Sequence, residues 1–163
     1  MKNLKTLLSI IVLLSLTTSH AQWQDQFRTD DFGDPTDEKF RSMINHGTFS
    51  NSATTNSKAM YGIVDNYEYL AIMVFEYGDR PARSIESTFE TVLMKKPDGT
   101  IITYKNALFS KTGSLIFEKK KNEKKSLYHR FLNDITEPGT YAITFKKSGS
   151  YGSSSYNFKF DMD

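Results

Sequence analysis

Two histidines, a run of lysines and scattered carboxylates are the residues downstream of position 21 whose chemistry is worth testing. A Ser/His/Asp triad needs an imidazole beside a nucleophilic serine, and only His46 and His129 are on offer. The segment Ser148-Gly149-Ser150-Tyr151-Gly152 comes near a nucleophile elbow, but Ser stands where its first Gly belongs. It also follows a strand pattern without leading into a helix, so it reads as a flexible hairpin loop. Neither histidine is assigned to catalysis, and no catalytic residue is expected.

The carboxylates offer two patterns. Asp30, Asp31, Asp34, Asp37 and Glu38 crowd into nine residues, but their spacing does not match a twelve-residue calcium loop, and solvated loop acids explain them. Asp31-Phe32-Gly33 mimics a kinase signature without any of its companions. Glu86 and Glu90 alternate along one strand face, where a pair about 5–10 Å apart would suit glycoside hydrolysis; a solvated sheet face is the simpler explanation. The chain has no cysteine, which removes thiol catalysis and thiolate metal sites. No cofactor or metal is expected.

The strongest local charge lies in residues 111–130, with a net of +5. Its candidate anion-binding patch is Lys119, Lys120, Lys121, Lys124, Lys125 and Arg130. Such a cluster suits an acidic protein, a polyanionic glycan or an anionic envelope surface. Residues 22–45 carry six acids against three bases and offset it. Trp23, Tyr67, Tyr77 and Tyr151 are candidates for stacking on sugars, although ordinary core and strand-end roles account for them.

The first 21 residues have the layout of a secretory signal peptide: two lysines, an apolar run from Thr6 to Leu16, and Ser19-His20-Ala21 before a cleavage point. The apolar run is about half what a bilayer-spanning helix requires. Cleavage before Gln22 leaves no transmembrane segment and an exported product, periplasmic or secreted from a bacterium. Residues 22–163 then form one domain. The precursor has 21 basic and 19 acidic residues, and loss of Lys2 and Lys5 balances them, which argues against a nucleic-acid binder.

The mature part holds all the aromatic residues, one Trp, nine Tyr and twelve Phe. With frequent Thr, Ile and Val they favour pleated strands. Residues 22–36 read as an irregular entry. A strand over 38–45 is expected to break at Gly47. Residues 58–64 and 68–77 make a strand pair, and the apolar run Tyr69 to Phe75 predicts a central strand buried on both faces. Lys96-Pro97-Asp98-Gly99-Thr100 predicts a hairpin turn. A short strand over 114–118 precedes residues 124–134, which place Leu127, Tyr128, Phe131 and Leu132 on one helical face. Strands over 140–145 and 156–160 follow, separated by a Gly/Ser-rich loop at 148–155.

Seven or eight short strands fit an antiparallel β-sandwich with one short helix over an edge or open end. A partly open β-barrel plugged by that helix is the alternative.

Asp31-Phe32-Gly33-Asp34-Pro35-Thr36 and Gly47 to Thr54, with the signal ending at Ala21-Gln22, resemble a group of small uncharacterised exported proteins of Bacteroidetes-type bacteria. More distantly, the early Trp23, the acidic turn, the Ser/Thr/Asn strand and the Leu127–Leu132 helix before paired final strands are similar in layout to the invasion-associated locus B family of periplasmic β-sandwich proteins. The resemblance implies an exported β protein and supplies no catalytic residues. The functional expectation is a non-enzymatic binding or envelope-accessory protein, whose partner is an envelope protein, glycan or anionic surface. A small hydrolase of envelope glycans is the rival.

Overall fold

A computed structural model describes residues 23–119, 126–149 and 152–163. The signal-peptide expectation for residues 1–21 lies outside these. The described residues form ten strands and one helix: β1 (Gln24–Thr29), β2 (Pro35–Ser50), β3 (Ser57–Asp65), β4 (Tyr69–Glu76), β5 (Arg80–Pro81), β6 (Thr88–Lys95), β7 (Ile101–Phe109), β8 (Ser114–Glu118), α1 (Leu127–Asp134), β9 (Gly139–Gly149) and β10 (Gly152–Met162).

All pairings are antiparallel, in the order β2-β10-β9-β6-β7-β8-β4-β3, and β3 pairs back onto β2. The sheet therefore closes into an eight-stranded barrel. The sandwich is thereby corrected to its alternative. Strand alternation requires one buried face in either architecture, and what separates them is whether the end strands meet. Here β2, sixteen residues long, meets both β3 and β10.

The interior is filled rather than hollow. Tyr61, Tyr104, Tyr141, Tyr156, Phe49, Phe109, Phe117, Phe131 and Phe160 are all fully buried. Eight strands enclose a space just wide enough for side chains, and these rings occupy it in stacks such as Tyr61–Phe158, with centroids 4.3 Å apart, and Phe145–Tyr156 at 4.9 Å. Each ring contributes about 1.5–3 kcal/mol of burial. The tyrosine hydroxyls are matched as well. Tyr61 donates to the Thr48 carbonyl at 2.7 Å, Tyr141 to the Glu137 carbonyl at 2.9 Å, and Tyr156 to Glu76 at 2.8 Å.

α1 seals one end, as the barrel alternative anticipates. Ser126 caps it, accepting the His129 N–H. Tyr128 and Phe131 point inward, and Phe131 lies 5.0 Å from Phe117 and 5.7 Å from Tyr104. The Tyr104 hydroxyl donates to Asp134 at 2.7 Å, tying the far end of the helix to β7.

Several local expectations hold. The 96–100 turn closes with the Gly99 amide on the Lys96 carbonyl, and Gly99 has φ +89°. β3 pairs with β4 through Ile63 opposite Ile72, and Tyr156, Phe158 and Phe160 all face inward. Others need correction. Residues 24–29 are not irregular but form β1, a hairpin with the first half of β2. The Gly/Ser segment is largely ladder, with pairing continuing to Gly149 opposite Gly152. β4 is buried on its inner face through Leu70, Ile72 and Val74, whereas its outer face is mixed, with Ala71 buried and Met73 38% exposed. A closed barrel has no central strand to be covered twice.

Gly47 does not break β2; it lets β2 meet β10. A β-carbon there would lie 2.2 Å from the Asn157 carbonyl oxygen and 2.8 Å from Phe158 Cα, both backbone. β10 pairs with β2 only over residues 47–50, because β1 occupies residues 35–42 on the same edge. The closing seam is thus four residue pairs long and passes through this glycine. Gly47→Ala should therefore destabilise by about 2–4 kcal/mol. Urea unfolding followed by circular dichroism measures it, and an unchanged midpoint would show that the seam is not closely packed.

Candidate functional site

One polar network sits where α1 meets the barrel. Asp65, the last residue of β3, is completely buried. Its Oδ2 accepts from Arg41 Nε at 2.9 Å and lies 2.8 Å from Arg41 Nη2. Its Oδ1 accepts from the Tyr67 amide at 2.9 Å and the Tyr128 hydroxyl at 3.0 Å. The Arg41 guanidinium stacks over Trp23, 4.5 Å from the ring centroid. All carboxylate positions are matched, so this is a latch joining β2, β3 and α1, with Trp23 just before β1 laid on it, and it leaves no group free for chemistry.

Of the sequence-derived patch, only Lys119 and Arg130 fall among the described residues. Lys120, Lys121, Lys124 and Lys125 lie outside the described residues. Lys119 Nζ donates to the Tyr67 carbonyl at 3.0 Å, and the Arg130 guanidinium sits 5.3 Å from the Tyr104 ring. Both therefore make local contacts beside α1. His129 Nδ1 is 2.8 Å from the Ser126 hydroxyl at the helix cap, whereas His46 is exposed on the outer face of β2. The two do not share a site.

Glu86 and Glu90 do not share a solvated face either. Glu90 is buried, accepting from the Thr88 hydroxyl at 2.6 Å and the Ser148 amide at 3.4 Å. Glu86 is exposed in a cleft of about 240 Å³ that also holds Arg83 and Lys147. Alternation placed them on one strand face, but β6 begins only at Thr88: Glu86 lies in a bend before it, whereas Glu90 is on the inner face with Val92 and Met94. The acids at 30–38 sit on the exposed β1–β2 hairpin, where Asp30 Oδ1 accepts the Phe32 and Asp34 amides at 2.9 Å. Among the described residues no group of three or more His, Cys, Asp or Glu is placed to hold a metal ion. Trp23 is half-buried against Arg41. Tyr67 and Tyr77 are exposed singly, Tyr77 edge-on to Phe49, and Tyr151 lies outside the described residues.

The surface feature that stands out is one that motif reading missed. A shallow groove of about 590 Å³ crosses the outer face of β2, β10, β9, β6 and β7. Register explains it. Lys159, Ala142, Lys95 and Ile101 stand opposite one another across four strands. The next row runs Thr48, Asn157, Thr144 and Leu93. Small Ala142 and Thr144 form the floor, while Leu93 and Ile101, 38% and 64% exposed, form an apolar wall. Ile44 and Phe89, 63% and 72% exposed, continue the apolar surface along β2 and β6. Lys95, Lys159 and Lys146 point outward from the same sheet, and none is ion-paired among the described residues. Apolar residues exposed together at the sheet positions where polar ones are ordinary make this face the candidate interaction surface. The signal was present in the sequence as Phe89 and Leu93 alternating with Val92 and Met94, but alternation does not say which face is inside.

Comparison with protein-family models, curated proteins and solved structures finds no match. Among the described residues no helix is long and apolar enough to cross a membrane.

The latch yields two expectations. Asp65→Ala leaves the Arg41 guanidinium and the Tyr128 hydroxyl without their acceptor and should cost about 3 kcal/mol, read by urea unfolding. Burial first, then Asp65, pushes the Tyr128 hydroxyl up to about 12 from its ordinary 10.0, and burial likewise raises Tyr61, Tyr104 and Tyr156. A group held neutral by the fold contributes stability that is complete below its unfolded pKa and lost as pH rises toward its folded one. Thermal stability should thus fall from about pH 10 upward, with these phenols ionising only as the barrel opens. Ordinary phenolate titration of every tyrosine with the fold intact would contradict the packing described.

Proposed function

We propose that the protein is an exported, non-enzymatic binding or envelope-accessory protein of a bacterium, and that it binds through the outside of its barrel. The signal-like residues 1–21 support export. The observation that carries the binding reading is the groove over β2, β10, β9, β6 and β7, where exposed Leu93 and Ile101 flank a floor of small residues beside Lys95 and Lys159.

This arrangement favours an amphipathic partner with apolar groups and negative charge. Leu93 and Ile101 supply the area removed from water, while the lysines steer approach and reject cationic competitors. The interior is occupied by the core rings, so affinity has to arise on this outer surface. The partner class is an envelope protein, an acidic glycan or an anionic surface, as the charge alone anticipates, with Lys95 and Lys159 of the sheet supplying cations beside the groove.

A double variant, Leu93→Glu with Ile101→Glu, tests the reading because both positions face solvent and the fold should survive. Immobilised wild type is expected to retain a defined component of an envelope extract, with binding falling at least about tenfold in the variant. Equal retention by both proteins, or none by either, would overturn the proposal.

A further inference from the structure

The β1–β2 hairpin is built unlike the rest of the molecule. Residues 35–40 of β2 pair with β1 alone, since β3 joins only from Arg41 and β10 only from Gly47. Every residue of β1 is exposed. The two strands form a ribbon of about 20 Å, closed by the Asp30–Asp34 turn. A two-stranded ribbon with both faces in water is at best marginally stable alone. This one is held by the Arg28–Glu38 and Lys39–Asp25 bridges at 3.1 and 2.7 Å.

Those bridges consume the ribbon's own cations. Asp31, Asp34 and Asp37 remain without an ion-pair partner among the described residues. Two large rings stand among them, Phe32 at 92% and Phe27 at 55% exposure. The ribbon is therefore an acidic, aromatic projection. The outer groove has the opposite charge, with apolar Leu93 and Ile101 beside Lys95 and Lys159, which have no ion-pair partner among the described residues.

Resting on the groove as the binding surface, the geometry points to a second copy of this chain as its occupant, whose β1–β2 ribbon docks there. Phe32 and Phe27 cover Leu93 and Ile101, and Asp31, Asp34 and Asp37 approach the lysines. Burying these rings removes the largest exposed apolar groups of the hairpin from water and gives the ribbon the face it lacks. The two surfaces are unlike, so the contact is heterologous and builds a reciprocal pair, a ring or an open filament.

Sedimentation velocity on the purified protein at about 100 µM tests this, in low salt and in roughly 0.5 M salt. Species of at least twice the monomer mass are expected in low salt, with association weakened about tenfold or more in high salt. Two charge reversals, D31K/D34K/D37K in the ribbon and K95E/K159E in the groove, should each give monomers with an unchanged circular dichroism spectrum. Mixed in equal amounts they should associate again, because each ribbon now meets a groove of opposite sign on the other variant. Monomeric wild type in low salt, or a mixture that stays monomeric, would overturn the proposal. The ribbon variant keeps its groove and frees it of the second copy, so it should retain the envelope component at least as well as wild type does. Loss of self-association with capture intact in wild type sinks only the assembly, and loss of capture with association intact sinks only the envelope function.

Discussion

Closure of the barrel depends on a backbone-to-backbone approach at Gly47. A single long strand carries three neighbours, with β3 along one edge and β1 and β10 sharing the other. The edge is divided so tightly that β10 receives only four paired positions, and at one of them no side chain fits. The other contacts inside the barrel presuppose this seam, because rings such as Tyr61 and Phe158 stack across strands that the seam holds together. It also joins residues about a hundred positions apart, so its loop entropy is offset only when the last strand arrives.

Filling an eight-stranded barrel without disulfides calls for large side chains, and the aromatic content of the chain meets that demand. Tyrosine does so at the cost of a buried hydroxyl. Each is matched to a nearby acceptor, so that a ring spans the interior while its oxygen stays satisfied. The helix extends the same principle. Tyr128 and Phe131 enter the core, and the hydroxyl–carboxylate contacts of Tyr128 with Asp65 and Tyr104 with Asp134 fix its position.

Much of this fold is legible in the residues themselves, and the limits have physical causes. Strand positions, the Gly99 turn and the helical face at 127–132 follow from local periodicity and turn chemistry, which short segments determine. Closure does not, because it is decided by pairings between distant strands. Gly47 illustrates the ambiguity: glycine marks both broken strands and close backbone approach, and only its neighbours in space choose between them. The candidate site was legible only in composition. Lys95, Ala142, Lys159 and Ile101 come from four strands and meet through register alone, whereas the lysines between 119 and 125 are neighbours in the sequence itself.

The filled interior and the patterned exterior have a consequence for how such a molecule can change over generations. Inward positions are locked to one another by ring packing, whereas the outward residues of the same strands carry little of the fold's stability. The specificity proposed for Leu93, Lys95 and Ile101 could therefore drift without jeopardising the scaffold beneath. Stability and recognition are inherited as nearly separate traits, interleaved one residue apart.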